Sequence, residues 1–219
     1  MPKQVTNVAS DDALTTIYRL SYEERELVIA ARVAERLGVK APSVAAMLGR
    51  LRRDGLLRFD SRKRISLTPS GRARAERMVR RHRLAECLLV QVLGLDWWRA
   101  YEEAHLLEHA ISEVTEPLID TLLGHPQLSP FGCPIPGAGG DGELSPRHLS
   151  DLSVQAHATL QRVYEENEEL LRFLDQSGMR PGAELEVIEV ARYLGTLTVR
   201  IGDDQVVLGL EAARGVWVI

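Results

Sequence analysis

The sequence predicts an α+β multidomain protein, with a winged helix-turn-helix at one end and an SH3-like β-barrel at the other. Helical apolar spacing and a basic hairpin occupy the first third, and two-residue apolar spacing begins after Gly178. Charge divides the chain similarly: residues 1–84 carry 19 Lys/Arg and 9 Asp/Glu, whereas residues 85–219 carry 8 and 22. A basic end on an acidic body favours a polyanionic partner.

The composition of the 219 residues is that of an ordinary globular protein, with 45% hydrophobic and 26% charged residues. Charges interrupt every apolar stretch before it reaches the ~18 residues that a membrane span needs. The N-terminal residues lack the apolar core of a secretory signal. Two cysteines, Cys87 and Cys133, cannot form a disulfide framework. We therefore expect a cytoplasmic protein.

Three helices are predicted in the basic third from apolar residues three or four positions apart. The first spans Asp11–Leu20, the second ends before Gly38, and the third runs from Pro42 to about Arg53. Two short alternating runs then flank the polar segment Asp60–Arg64 and predict a β-hairpin. This order of elements is typical of a winged helix-turn-helix.

The third helix is expected to enter the major groove of DNA, where the N-terminal residues of such a helix reach base edges. The hairpin would neutralise backbone phosphates and set the register without reading sequence. Ala46 offers only a methyl group, so part of the specificity is expected from DNA shape. The alternative is a three-helix bundle whose arginines only solvate its surface. The predicted DNA-contacting residues are Lys40, Pro42, Ser43, Ala46, Arg50, Arg62, Lys63 and Arg64.

The middle of the chain predicts two helices and a linker. A basic helix begins at Thr68-Pro69 and extends to about Val92, and a second helix covers Trp97–Leu123 with an interruption or a bend near Pro117. The Leu-rich face of this region is the expected dimer surface, and an ordinary intrachain core is the alternative. Residues 126–146 contain five prolines and five glycines, which predicts a linker.

The C-terminal third predicts a small barrel. A short acidic helix covers Tyr164–Leu174, and alternating strands run from Leu185 to Ile219 with a hairpin turn at Gly202-Asp203-Asp204. Residues Asp151–Leu160 fit either a strand or a helix.

Two groups of His and Glu residues have the spacing of metal ligands on helices. His82 and Glu86 are four positions apart, and His105, Glu108 and His109 lie within five positions. Residues three and four apart share a helix face, so each helix can present several ligands together. Taken alone, the first pair fits an exposed salt bridge equally well.

The run His105–His109 also matches the H-x-x-E-H pattern of inverted zinc peptidases. Peptidase chemistry needs a distant further ligand and a substrate cleft, for which a chain of this length leaves little room beside a DNA-binding unit. We therefore expect no enzymatic activity. Asp12, on the first predicted helix, offers another carboxylate for a metal ion.

Six motifs, in order, resemble those of the diphtheria toxin repressor family from about Leu14 to the C-terminus. They are Ala34–Leu37, Arg53–Leu56, Leu67–Arg72, Arg81–Glu86, Glu103–His109 and Ser129–Gly137. That family consists of iron- or manganese-activated repressors. The resemblance implies a DNA-binding domain over residues 1–76, a helical metal-binding and dimerisation domain over 77–131, a linker over 132–149 and an SH3-like (FeoA-like) domain over 150–219.

The resemblance also implies two metal sites. The primary site would use Asp12, His105, Glu108 and His109. The ancillary site would use His82 and Glu86 together with Glu166 and Glu169 of the SH3-like domain. Iron-type members carry Met and Cys in place of Asp12 and His105, and a histidine where this chain has Tyr101. Carboxylate and imidazole without thiolate suit Mn²⁺ or Fe²⁺, and of these we expect Mn²⁺.

Together these features predict a metal-dependent transcriptional repressor of metal-homeostasis genes. Metal binding would fix the winged helices of a homodimer at the spacing of a palindromic operator. One alternative is a winged-helix regulator that senses a small organic ligand, with the His/Glu groups as salt bridges. Another is an interaction module whose barrel recruits a protein partner.

Overall fold

The computed structural model describes residues 8–139 and 143–219, and it divides into two compact units, residues 1–81 and 82–219. Each unit has its own apolar core. Residues 1–7 of the expected DNA-binding domain and residues 140–142 of the expected linker lie outside the described ranges. Within these ranges, no helix combines the length and the apolar composition that crossing a membrane requires.

Unit 1 has the predicted order of a winged helix-turn-helix. Apolar side chains at helical spacing, such as Leu14 and Ile17 or Val44 and Leu48, are buried in one core. The elements are α1 (Val8–Tyr18) with a π-helical continuation (Arg19–Glu23), α2 (Ala30–Arg36), α3 (Ala41–Arg53), β1 (Leu57–Phe59) and β2 (Ile65–Leu67).

The hairpin of unit 1 is antiparallel, with Leu57 opposite Leu67. The backbone N–H of Ile65 donates to the Val28 carbonyl over 2.8 Å, which joins the hairpin to the segment before α2. Gly71 permits a close approach behind the hairpin, because a Cβ there would lie 1.8 Å from the carbonyl oxygen of Leu56. These contacts fix the position of the wing relative to the helices of unit 1.

The helix α4 (Pro69–Cys87) begins with the predicted Thr-Pro signal and ends in a π-helical turn (Leu88–Val92). The helix predicted over 97–123 is interrupted, but the break lies at residues 109–114 rather than near Pro117: a 3₁₀ turn (Trp97–Arg99) and α5 (Ala100–Glu108) are followed by a separate α6 (Thr115–Leu122). Pro117 lies in the first turn of α6, where a missing N–H costs no intrahelical hydrogen bond.

The C-terminal part of unit 2 contains a five-stranded sheet in the order β6-β5-β4-β3-β7, with antiparallel neighbours. The undecided segment 151–160 becomes a strand from residue 157 onward. The predicted hairpin turn at Gly202 separates two strands as expected. The elements are β3 (His157–Val163), α7 (Glu168–Gln176), β4 (Glu184–Ala191), β5 (Thr196–Ile201), β6 (Asp204–Gly209), α8 (Leu210–Arg214) and β7 (Val216–Val218).

The segment expected to begin the linker is packed into unit 2 up to residue 135. Phe131 is fully buried, and its carbonyl accepts from the backbone N–H of Val163 over 3.1 Å. Gly132 has φ of +83°, and a Cβ there would lie 2.1 Å from the Gln161 carbonyl oxygen. Proline and glycine therefore shape a close contact here rather than a loose connection.

Candidate functional site

The predicted DNA-contacting residues all lie on the surface of unit 1. The helix α3 turns Val44, Met47 and Leu48 into the core and leaves its opposite face exposed. That exposed face and the wing carry Lys40, Pro42, Ser43, Ala46, Arg50, Arg62, Lys63 and Arg64. The surface suits a groove-binding helix flanked by phosphate-binding cations.

The wing is organised around Asp60. One carboxylate oxygen accepts from the backbone N–H groups of Arg62 and Arg64, each over 2.9 Å, and the other accepts from the Arg64 guanidinium. The hydrogen bonds from Arg64 hold the pKa of Asp60 below its usual range. Arg64 is thus engaged within the wing, while Arg62 and Lys63 are exposed at its tip.

His82, Glu86 and Glu165 form what we call the inner cluster, and each supplies one ligand atom within 4.8 Å of the others. His82 and Glu86 lie on consecutive turns of α4, with Nε2 of His82 3.0 Å from Oε1 of Glu86. Glu165 comes from the turn between β3 and α7. All three side chains are buried, so this is a polar cluster inside unit 2.

The inner cluster is electrostatically incomplete as a protein-only arrangement. Burial raises the pKa of Glu86, and the nearby Glu165 carboxylate raises it further. Among the described residues, none donates a well-aligned hydrogen bond to either oxygen of Glu86. A buried carboxylate in this state costs free energy that a cation would offset. The donor set therefore fits a divalent metal ion.

The sequence predicted Glu166 and Glu169 for this position, whereas the structure brings Glu165 to the cluster. Glu166 accepts a hydrogen bond from the Tyr164 hydroxyl over 3.0 Å, and Glu169 is exposed in the first turn of α7. Asn167 caps that helix and so fixes where the turn ends. The resemblance alone does not show how this turn folds, so a part of Glu166 and Glu169 in metal binding remains a prediction.

His105, Glu108 and His109 form what we call the outer cluster, at the end of α5. Oε1 of Glu108 lies 3.4 Å from Nδ1 of His105 and 3.3 Å from Nε2 of His109. Burial alone would raise the pKa of Glu108, but hydrogen bonds from His105 and His82 lower it to about 2. The cluster thus presents an ionised carboxylate between imidazoles. Asp12 lies on α1 of unit 1, and its part in this site remains a prediction.

Tyr101 occupies the position where the family resemblance implied a further histidine. Its ring packs edge-on against His82, with ring centroids 4.9 Å apart. The aromatic residue therefore supports a ligand of the inner cluster by packing, where a histidine would add a nitrogen.

Models of known protein domains match three successive parts of the chain. Residues 8–65 match the N-terminal DNA-binding domain of iron-dependent repressors, and residues 68–137 match their metal-binding and dimerisation domain. Residues 147–219 match the FeoA domain. The chain belongs to the iron-dependent repressor family.

Several members of the iron-dependent repressor family align with most of this chain. The iron-dependent repressor IdeR of Mycobacterium leprae (strain TN) is 36% identical over 217 residues, which is 93% of each chain. The diphtheria toxin repressor of Corynebacterium efficiens is 35% identical over 187 residues, 80% of each. A solved structure described as a manganese-dependent transcriptional repressor in complex with manganese superposes with a TM-score of 0.88, at 34% identity over 96% of this chain and 99% of that one.

Family membership confirms the predicted fold class and the prediction of a metal-dependent DNA-binding repressor. It disfavours the organic-ligand sensor and the zinc peptidase, because the iron-dependent repressor family consists of transcriptional regulators rather than enzymes. The matched DNA-binding and dimerisation domains indicate DNA and a second copy of the chain as partners.

Proposed function

We propose that this repressor responds to Mn²⁺, with Fe²⁺ as the second candidate, and controls metal-homeostasis genes in the cytoplasm by binding a palindromic operator as a homodimer. The observation that carries the proposal is the composition of the two clusters in unit 2. Together they contain three carboxylates and three imidazoles, and within the described residues neither cluster includes a thiolate. Oxygen and imidazole donors suit these two ions, whereas thiolates would favour softer metals.

The outer cluster and Asp12 are the proposed regulatory site, and the inner cluster is the proposed second site. A bound divalent cation supplies the positive charge that compensates the clustered carboxylates. Asp12 belongs to the DNA-binding unit and the other ligands to unit 2, so shared ligation would restrict how the DNA-binding unit is presented. By linkage, operator DNA would then raise metal affinity by the same factor by which metal raises DNA affinity.

In the proposed complex, α3 of each protomer reads one half-site and the wing contacts phosphates. Half-sites of a dimer bound to one face of DNA lie about 34 Å apart, one helical turn. The exposed face of α3 supplies Ser43 and Arg50, and the wing tip supplies Arg62 and Lys63. Metal ligation sets the geometry of the dimer and these residues set its contacts.

The proposal is tested by selecting genomic DNA fragments with protein stripped by EDTA, with and without added Mn²⁺ and, under anaerobic conditions, Fe²⁺. We expect a palindrome to be enriched only with metal, most strongly with Mn²⁺. Stronger enrichment with Fe²⁺ would reassign the ion. Equal enrichment without metal would contradict the metal dependence and support only metal-independent DNA binding by the winged helix.

Substitution of His105→Ala is expected to abolish metal-stimulated operator binding, because it removes a ligand of the outer cluster. Asp12→Ala is expected to do the same while circular dichroism shows an intact fold. His125→Ala is the matched control. His125 is an exposed histidine that belongs to neither cluster, and its Nδ1 lies 2.8 Å from the Asp120 carboxylate, so it too pairs with an acidic residue. Metal stimulation that survives in the Asp12 variant would remove that residue from the site.

A further inference from the structure

One imidazole ring touches both clusters. Nε2 of His82 lies 3.0 Å from Oε1 of Glu86 in the inner cluster. On the other side of the ring, Nδ1 lies 2.6 Å from Oε2 of Glu108 in the outer cluster. The two clusters are therefore joined by a single side chain within unit 2.

Packing holds the ring in this orientation. The His82 side chain is 2% exposed, and Tyr101 presses edge-on against it with centroids 4.9 Å apart. Turning the ring over would move Nδ1 away from Glu108 and Nε2 away from Glu86. The assignment of one nitrogen to each cluster is thus set by the surrounding structure.

The two carboxylate oxygens of Glu108 also face different partners. Oε2 is the atom that contacts His82, whereas Oε1 faces His105 and His109 at 3.4 and 3.3 Å. A contact that fixes Oε2 therefore also fixes the direction in which Oε1 is presented to the outer cluster.

We infer that His82 couples the two metal sites, because it ligates the inner ion through Nε2 and orients Glu108 for the outer ion through Nδ1. The inference rests on the proposed function, since it requires an ion in each cluster. An imidazole that gives Nε2 to a cation keeps its proton on Nδ1, and that N–H donates to the carboxylate beyond it. With the inner site empty, Nε2 faces the Glu86 carboxylate instead of a cation, so both ring nitrogens then lie beside carboxylates.

Partners of this kind change metal affinity by about 10- to 100-fold when they are removed. Filling the inner cluster is therefore expected to raise the Mn²⁺ affinity of the outer cluster by about tenfold, and the reverse effect must be equal. His82 acts here as a positioning residue for the outer site.

The coupling is measured on the full-length protein by titrating Mn²⁺ and following the electron paramagnetic resonance signal of the free ion. Wild type should bind two ions with coupled affinities. Glu165→Gln removes an inner ligand that lies between β3 and α7 rather than on α5, and it should weaken the outer site about tenfold. Glu211→Gln, which neutralises an exposed carboxylate of α8, should behave as wild type.

A pair of substitutions at His82 separates the hydrogen bond from the ligand. The amide nitrogen of Asn reaches the position of Nδ1, and that of Gln reaches the position of Nε2. His82→Asn should lose the inner ion but keep outer affinity, whereas His82→Gln should lower outer affinity about tenfold relative to His82→Asn. Equal outer affinities in these two variants would show that Nδ1 does not act through Glu108.

The outcomes distinguish the coupling from the function on which it rests. Two ions with independent affinities, or an outer affinity unchanged in Glu165→Gln, overturn the coupling and leave the repressor function standing. A wild-type protein that binds no Mn²⁺ and no Fe²⁺ overturns both. If the His82 variants fail to fold, the comparison of Glu165→Gln with Glu211→Gln still decides the question.

Discussion

The charges on the wing of the DNA-binding unit lie in water, whereas the carboxylates of the inner and outer clusters lie inside unit 2. The Arg64–Asp60 pair of the wing has side chains 45% and 37% exposed. Exposed pairs of this kind contribute little to stability and are screened by salt. Glu86 of the inner cluster is fully buried beside another carboxylate. The exposed charges of the wing are therefore compensated by water, whereas the buried carboxylates of the clusters leave a charge that a cation would offset.

The largest expected effect is on stability at the inner cluster. Glu86→Gln removes a buried charge, so the metal-free variant should be at least as stable as wild type. Saturating Mn²⁺ at about 1,000 times Kd should stabilise wild type by about 4 kcal/mol for each site. The variant should lack the stabilisation that comes from the inner site. Thermal unfolding with EDTA and with Mn²⁺ measures this difference.

Glu211→Gln provides the control for that experiment, because it neutralises an exposed carboxylate that belongs to neither cluster. An equal rise of Tm with Mn²⁺ in Glu86→Gln and wild type would mean that the inner cluster holds no ion. The contrast between buried and exposed charge would then have no consequence for metal binding.

The next effect concerns pH in the metal-free protein, where Glu108 and Glu86 act with opposite signs. The pKa of Glu108 is lowered to about 2, so its contribution is present above its usual pKa of 4.5 and is lost as pH falls from there towards 2. That contribution amounts to at most about 3 kcal/mol. The pKa of Glu86 is raised, so its ionisation reduces stability as pH rises above 4.5.

Urea unfolding of EDTA-treated protein between pH 2.5 and 7 tests these signs. Glu108→Gln should flatten the acid side of the stability curve, and Glu86→Gln should flatten the side above pH 4.5. Parallel curves for Glu108→Gln and wild type would show that the histidines do not stabilise the Glu108 carboxylate.

The smallest effect is expected at the wing, where two neighbouring cations differ. Lys63→Gln should weaken operator binding and reduce the slope of log affinity against log salt by about 1, as expected for one lost phosphate contact. Arg64→Gln should reduce that slope less, because the Arg64 guanidinium already binds Asp60. Fluorescence anisotropy at several salt concentrations measures both slopes, and equal changes would place Arg64 on DNA as well.

Local signals made the winged helix predictable from the sequence. Gly38 ends one helix in the left-handed conformation, with φ of +62°, and Pro69 begins another at its first turn. Both signals depend on only a few neighbouring residues, so they can be recognised in the sequence without knowledge of tertiary contacts. The His/Glu spacings on α4 and α5 were predictable for the same reason, since a helix fixes which side chains share a face.

Features that depend on distant contacts were not predictable. Phe131 lies in the Pro/Gly-rich segment for which the sequence predicts a linker. In the structure it is buried, and its carbonyl accepts a hydrogen bond from Val163 of β3. Glu165 joins residues of α4 that are nearly eighty positions earlier, and its neighbour Glu166 has the same side chain. Only the fold of the turn distinguishes the two, and no periodicity in the sequence encodes it.

The aromatic pair before α5 makes the C-terminal part of the chain inseparable from the helices. Trp97 stacks on Phe131 with centroids 5.1 Å apart, and its Nε1 donates to the Pro130 carbonyl over 2.9 Å. The neighbouring Trp98 lies under the Arg172 guanidinium of α7, 4.0 Å from the ring centroid. A chain shortened after residue 149 would uncover this aromatic core and lose Glu165 at the same time. Any functional defect of such a truncated protein would therefore include the effect of an exposed core. The FeoA-like segment is better regarded as part of one folded unit than as a separable domain.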